Sequence, residues 1–155
     1  MVIQSNQTQT PEVNQTFERF SFKLSRLFIN RQLNVYLPDY GFQELKMQPI
    51  IKTVYILFLK HPEGISFYDL KKYQAEICEI YRTISPHASK EILELNSSRL
   101  TNRQDNSMNE KISRIKGLIG SVLPESIARQ YMITGNRSEP KKIALDRSLV
   151  YWEEK

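Results

Sequence analysis

Asn109, Lys111, Ser113, Arg114 and Lys116 bring two amide or hydroxyl groups and three cations together in one short stretch. A guanidinium offers a planar fork of donors, an ammonium a compact charge, and amide or hydroxyl groups both donate and accept. That set is suited to gripping phosphates and reading base edges. Arg137, Lys141 and Lys142 form a second basic group, and Arg103 precedes the first. Bond-making chemistry has much less to work with. His61 and His87 each adjoin a proline and have no nucleophile or carboxylate at a useful local spacing. One cysteine and two histidines leave no zinc-ligand pattern, and the five glycines form no phosphate cradle. No catalytic residue, metal or cofactor is therefore expected, and the chain is not expected to be an enzyme. Gly117-Leu118-Ile119-Gly120 matches the GXXG pattern of an RNA-clamping loop, but its apolar centre suits close helix packing better.

Two elements must position these groups. Met108, Ile112, Ile115, Ile119 and Val122 recur at three- and four-residue steps, which predicts a helix with its apolar side on a core. Ser107 and Glu110 have the spacing of a capping box at its start. The opposite side carries Glu110, Ser113, Arg114 and Gly117, flanked by Asn109, Lys111 and Lys116: cationic and amide groups of low bulk. Ordinary solvated charge on an amphipathic helix is the competing account. Downstream, Tyr131 to Thr134 is a β-prone run and Gly135 to Pro140 is rich in turn formers. Lys141 to Leu145 then alternates as a return strand. Arg137 falls near the hairpin tip, and Lys141 and Lys142 leave the turn, where they reach toward phosphate or guard an edge strand.

The chain from about residue 32 to 150 resembles the winged-helix output domain of OmpR/PhoB-type response regulators. That family's recognition helix commonly reads I-x-R-L-R-x-K-L. Here Ile112-Ser113-Arg114-Ile115-Lys116-Gly117-Leu118-Ile119 keeps the apolar frame and two basic positions, with Leu118 at the third. Met132 to Arg137 loosely echoes the family's wing without its closing G-x-G-Y. Glu44 to Pro49, Val54 to Leu59 and His61-Pro62-Glu63-Gly64-Ile65-Ser66 are similar to its strand, first helix and turn into the second helix. The resemblance implies an α+β, mainly α fold: a winged helix-turn-helix with an N-terminal β-hairpin and a C-terminal wing hairpin. It implies double-stranded DNA as partner, with Asn109, Ser113 and Arg114 at the groove, Lys111 and Lys116 on phosphates, Arg137, Lys141 and Lys142 on the wing, and Arg103 alongside. Only Met1 to Arg31, without acidic clusters, precede the first hairpin, so control through a phosphoacceptor receiver domain is not expected.

Composition agrees with one domain. The 155 residues are 40% hydrophobic and 25% charged, enough to bury most apolar surface in a single core. The net charge is +5; between Thr101 and Lys142 eight basic residues face four acidic ones, so four of the five net charges lie there. Residues 1–15 are polar, lack a signal-peptide pattern and read as a disordered tail. Phe17, Phe20, Leu24, Leu27 and Phe28 predict a basic amphipathic helix over 16–31, with a strand as runner-up because Phe20, Phe22 and Leu24 alternate. That segment is a candidate dimer or protein-partner surface. A membrane-surface role is disfavoured, and no apolar run approaches the length of a membrane span. A lone Cys78 among Ile77, Ile80 and Tyr81 suggests a buried helix position, and cytoplasmic residence is the natural reading.

Residues 32–155 read as the winged-helix domain. Pro38-Asp39-Tyr40-Gly41 predicts a hairpin turn between Leu33–Leu37 and Phe42–Met47. Pro49 starts a helix to about Lys60, and Ser66 with Asp69 caps a second from Phe67 to about Thr83. Ala88 to Leu100 is a further helix, which with the polar loop Thr101–Asn106 separates the two functional helices more than the family does. The expected function is double-stranded DNA binding by a transcriptional regulator or accessory factor. The alternative is a protein-interaction module on the same scaffold.

Overall fold

The computed structural model describes residues 23–154, an α+β arrangement dominated by helices. Its centre is α1 (Pro49–Leu59), in which every residue from Ile51 to Leu59 is buried. Pro49 occupies the first turn, where its missing N–H costs nothing. A helix buried all round needs partners on every side. A four-stranded sheet in the order β3-β2-β1-β6 supplies one, built from β1 (Leu27–Ile29), β2 (Val35–Leu37), β3 (Gln43–Glu44) and β6 (Val150–Trp152). Neighbours are antiparallel except β1 and β6, which run parallel. Leu27, Ile29, Val35 and Leu37 join the core around α1, while Phe28 and Tyr36 face outward.

This sheet corrects the helix expected over 16–31. Residues 16–22 lie outside the described residues, and 23–31 contain β1 instead of helix. Leu27 and Ile29 are fully buried and Phe28 only partly, a period of two that pairing with β2 and β6 rewards on both edges. The hairpin forms as expected. Pro38–Tyr40 makes a 3-10 turn closed by Gly41 at φ 69, and Asp39 accepts from both the backbone and guanidinium of Arg26. Lys52 is the cation within α1. Its ammonium donates to the side-chain oxygen of Asn34, and burial lowers its pKa against an opposing pull from Glu44.

After α1 the chain turns at Gly64, whose φ of +92 and approach to the Lys141 carbonyl leave no room for a Cβ. Ile65 then exchanges backbone hydrogen bonds with Lys141, a one-residue bridge onto the later hairpin. Ser66 does act as a cap, accepting from the Tyr68 N–H, but the expected single helix divides into a 3-10 segment, Phe67–Tyr73, and α2 (Gln74–Ile84). Leu70 anchors the 3-10 segment in the core. Helix α3 (Lys90–Thr101) is capped by the Ser89 hydroxyl and packs on α2, where Cys78 is half-buried with its thiol 3.2 Å from the Ser97 hydroxyl.

Helix α4 (Ser107–Val122) packs Met108, Ile112, Ile115 and Ile119 against the core. The expected capping box is absent. Ser107 lies buried inside the first turn, its N–H is satisfied by Asp105, and the Glu110 N–H bonds the Asn106 carbonyl. Gly117 and Gly120 do not mediate close helix packing either: a Cβ at Gly117 would meet nothing within 4 Å, and one at Gly120 only the Met132 methyl at 3.8 Å. Both are exposed.

A short α5 (Glu125–Ala128) leads to the antiparallel pair β4 (Ile133–Thr134) and β5 (Lys142–Ile143), the hairpin anticipated over 131–145. Two buried tyrosines fix it to the core: Tyr55 donates to the Tyr131 carbonyl at 2.8 Å and Tyr131 donates to the Ser25 carbonyl at 2.6 Å. Burial raises both phenol pKa values, that of Tyr131 to about 12. The Arg147 guanidinium spans the hairpin base and the end of α1, donating to the carbonyls of Phe58, Leu59, Ile143 and Leu145.

Candidate nucleic-acid interface

The 3.6-residue repeat that buries one side of α4 necessarily turns the other outward, and Asn109, Ser113, Arg114 and Lys116 are all exposed. Lys111 departs from expectation. Its side chain is largely covered, and its ammonium lies 3.7 Å from the Glu110 carboxylate, so it is the least available of the α4 cations. The small Gly117 keeps the middle of the exposed face low.

The β4–β5 hairpin packs beside α4, and two clefts form where they meet. The first, about 450 Å³, brings Arg103, Asn109, Arg137 and Lys141 together with Phe67 and Tyr68. The second, about 540 Å³, joins Lys116 and Lys142 with Arg129. Six of the nine residues singled out from the sequence thus line the two clefts, while Ser113 and Arg114 occupy the open helix face and Lys111 is partly covered. Glu139 lines both clefts and Glu63 the second. The Glu63 carboxyl is held below its ordinary pKa by its own backbone N–H and by His61.

Salt bridges occur both at the sheet and around α4, where Arg99 lies 3.4 Å from Asp105 and Lys111 3.7 Å from Glu110. Near the sheet, Arg26 is bound to Asp39 at 2.8 Å and Arg31 to Glu153 at 3.7 Å. Among the described residues, Arg114, Lys116, Arg129, Arg137 and Lys142 form no salt bridge. Lys141 donates to the Gly135 carbonyl, and Arg103 lies over the Tyr68 ring. Cations without salt bridges on an exposed helix face beside a hairpin can attract a polyanion and have donors free to bond it, although Glu63 and Glu139 weaken the local field.

Sequence reasoning missed Tyr68 and Asn136 as cleft residues. Tyr68 carries no periodic signal, because it lies on the solvent side of a 3-10 turn and its partner is far along the chain. Arg129 entered only the charge balance; its position after α5 places it in the second cleft. Among the described residues no cluster of His, Cys, Asp or Glu forms a potential metal site, and no helix is long and apolar enough to cross a membrane. No protein-family model, curated protein or solved structure matches the chain.

Proposed function

We propose that this chain binds double-stranded DNA as a winged helix-turn-helix, with α4 as the recognition helix and β4–β5 as the wing. In this reading it acts in the cytoplasm as a transcriptional regulator or a DNA-binding accessory factor and catalyses no reaction. The observation that supports it most is the grouping of α4 residues with hairpin cations in two neighbouring clefts, Lys116 with Lys142 in one and Asn109 with Arg137 and Lys141 in the other, beside Arg114 on the exposed face of the same helix. The element order is compatible apart from the added α3: α1, the Ile65 bridge, α2, α3, α4, then a hairpin whose β5 side pairs with Ile65. Asn109, Ser113 and Arg114 contact base edges, Lys116 and the wing cations neutralise phosphates, and Lys111 contributes least because Glu110 competes for it.

Fluorescence anisotropy with random-sequence duplex DNA over a salt series tests this. With around five phosphates neutralised, log affinity falls with log salt at a slope on the order of −4 to −5. The Arg114→Glu, Lys116→Glu double variant flattens it. A folded wild-type protein that fails to bind at low salt ends the DNA reading.

One observation favours a protein-interaction module instead. Phe42, Tyr151 and Trp152 are exposed around a hollow of about 390 Å³ on the outer side of the sheet, which shares no lining residue with the α4 clefts. Under that reading the same double variant leaves partner binding intact.

A further inference from the structure

Helix α3 and the loop 102–106 stand between α2 and α4 and contribute nothing to the proposed groove contacts except Arg103. The loop is tightly closed. The Asn102 side chain accepts from the Gln104 N–H at 2.9 Å and its carbonyl from the Asp105 N–H at 3.0 Å. Asp105 in turn accepts from the Ser107 N–H at 2.9 Å and from the Arg99 guanidinium at 3.4 Å. Each hydrogen bond is local, so the backbone on both sides of Arg103 is fixed by the loop itself.

Arg103 uses that fixed position unusually for a surface arginine. Its guanidinium carbon lies 4.0 Å from the centre of the Tyr68 ring, and no carboxylate among the described residues pairs with it. Tyr68 is 63% exposed, so its ring is not there to fill the core. The adjacent Phe67 lies 5.7 Å from the ammonium of Lys141, across the same cleft. Two consecutive aromatic residues therefore underlie two cations on facing walls. A guanidinium stacked on a ring keeps its in-plane donors free and loses much of its rotamer freedom. Its donors then meet an anion already arranged instead of being ordered on contact.

From this the geometry points to a phosphate-binding notch between the α3–α4 loop and the wing, in which Arg103 and Lys141 grip one phosphodiester of the DNA and Tyr68 is the positioning residue for Arg103. The inference rests on the DNA reading and deepens it. It assigns the inserted α3 a purpose, the delivery of Arg103 to the DNA-facing surface. The phosphate chemistry is sequence-independent, so the notch sets affinity and register and leaves base choice to α4. Glu139 also lines the cleft, and its carboxylate opposes the two cations there, so the notch depends on both of them.

The salt series separates this inference from its parent. Wild type, Tyr68→Ala, Tyr68→Phe, Arg103→Gln and the Arg114→Glu, Lys116→Glu variant are titrated against the same random duplex, with far-UV circular dichroism confirming each fold. Loss of one phosphate contact makes the log–log slope shallower by about 0.9 and weakens binding by about tenfold near about 0.1 M salt. Both Tyr68→Ala and Arg103→Gln are expected to lose that much, and combining them to lose no more than either alone. Tyr68→Phe keeps the ring and the wild-type slope. If Tyr68→Ala binds like wild type while the α4 variant flattens the slope, the notch is wrong and the DNA reading stands. Equal loss in Tyr68→Phe and Tyr68→Ala also overturns ring support. If wild type shows no salt-dependent binding, both fall. Should Tyr68→Ala fail to fold, Arg103→Gln decides alone, and a wild-type slope in it overturns the notch.

Discussion

Replacing Arg147 by alanine removes a fastening between α1 and the base of the hairpin. Its Nε donates to the Leu59 carbonyl at 2.8 Å and its Nη2 to that of Phe58 at 3.1 Å, while Nη1 serves Ile143 at 3.0 Å and Leu145 at 2.6 Å. Phe58 and Leu59 belong to the buried last turn of α1; the Phe58 carbonyl also accepts from the His61 N–H at 3.2 Å, whereas the Leu59 carbonyl is served by Arg147. An unsatisfied buried acceptor costs about 1–3 kcal/mol. Burial of the guanidinium, which lowers its pKa, offsets part of the gain. Counting only the Leu59 carbonyl, which is left without a partner, Arg147→Ala is expected to cost about 2 kcal/mol. Arg147→Lys, with three donors and no planar fork, should cost about 1 kcal/mol. Urea unfolding followed by the fluorescence of Trp152, the single tryptophan, measures this. With a slope of about 2 kcal/mol per M, the midpoint falls by roughly 1 M at unchanged slope. A midpoint within about 0.2 M of wild type would show that the four bonds contribute nothing net.

The interior and α4 provide three further tests. Tyr55→Phe orphans the Tyr131 carbonyl and is expected to lower stability by about 1–2 kcal/mol in the same urea assay, with little change in the circular dichroism of the native state. Gly117→Ala adds a methyl group to open space on a regular helix and should stabilise by about 0.5–1 kcal/mol, read as a higher melting temperature; a lower one would mean that the face is already covered. Burial pulls the His61 pKa down, but its hydrogen bonds to Glu76 and then Glu63 outweigh this, so the net shift is upward from 6.5. The folded state therefore binds this proton more tightly than the unfolded chain. The stabilisation is complete below the unfolded value near 6.5 and is lost as pH rises through the higher folded value. Proton NMR titration should show His61 above that reference value in wild type and closer to it in Glu76→Gln.

Elements with a strong local signal were legible in the sequence. Pro49 before an apolar run gives α1, the Pro38–Gly41 turn fixes the first hairpin, and the apolar repeat of α4 predicts its exposed side. Failures occurred where a tertiary partner decided between local options. Leu27 and Ile29 suit a helix or a strand equally by composition, and only β2 on one side and β6, far along the chain, settle the period. Ser107 and Glu110 had the right spacing for a cap, yet Asp105, two residues before Ser107, reached the Ser107 N–H first. Gly117 and Gly120 looked like contact points because small residues often are, whereas the packed side of α4 is defined by Ile112, Ile115 and Ile119. The cleft residues were legible as charges. Their grouping was not, since Arg103 meets Tyr68, and Lys116 shares a cleft with Lys142, only through tertiary packing.

The bonds that hold the scaffold and the cations assigned to DNA are different groups, which makes the proposal testable without unfolding the protein. Tyr55, Tyr131 and Arg147 join the sheet, α1 and the hairpin through buried or half-buried hydrogen bonds, and none of them lines the two α4 clefts. Arg114 and Lys116 are exposed and make no salt bridge among the described residues. Surface substitutions of that kind usually shift stability by no more than about 0.5 kcal/mol. Reversing both charges should therefore leave the melting curve nearly unchanged while changing the electrostatic field that a polyanion meets. A fall in DNA affinity with an intact melting curve would then belong to the surface, and an equal fall in both would trace the effect to the scaffold.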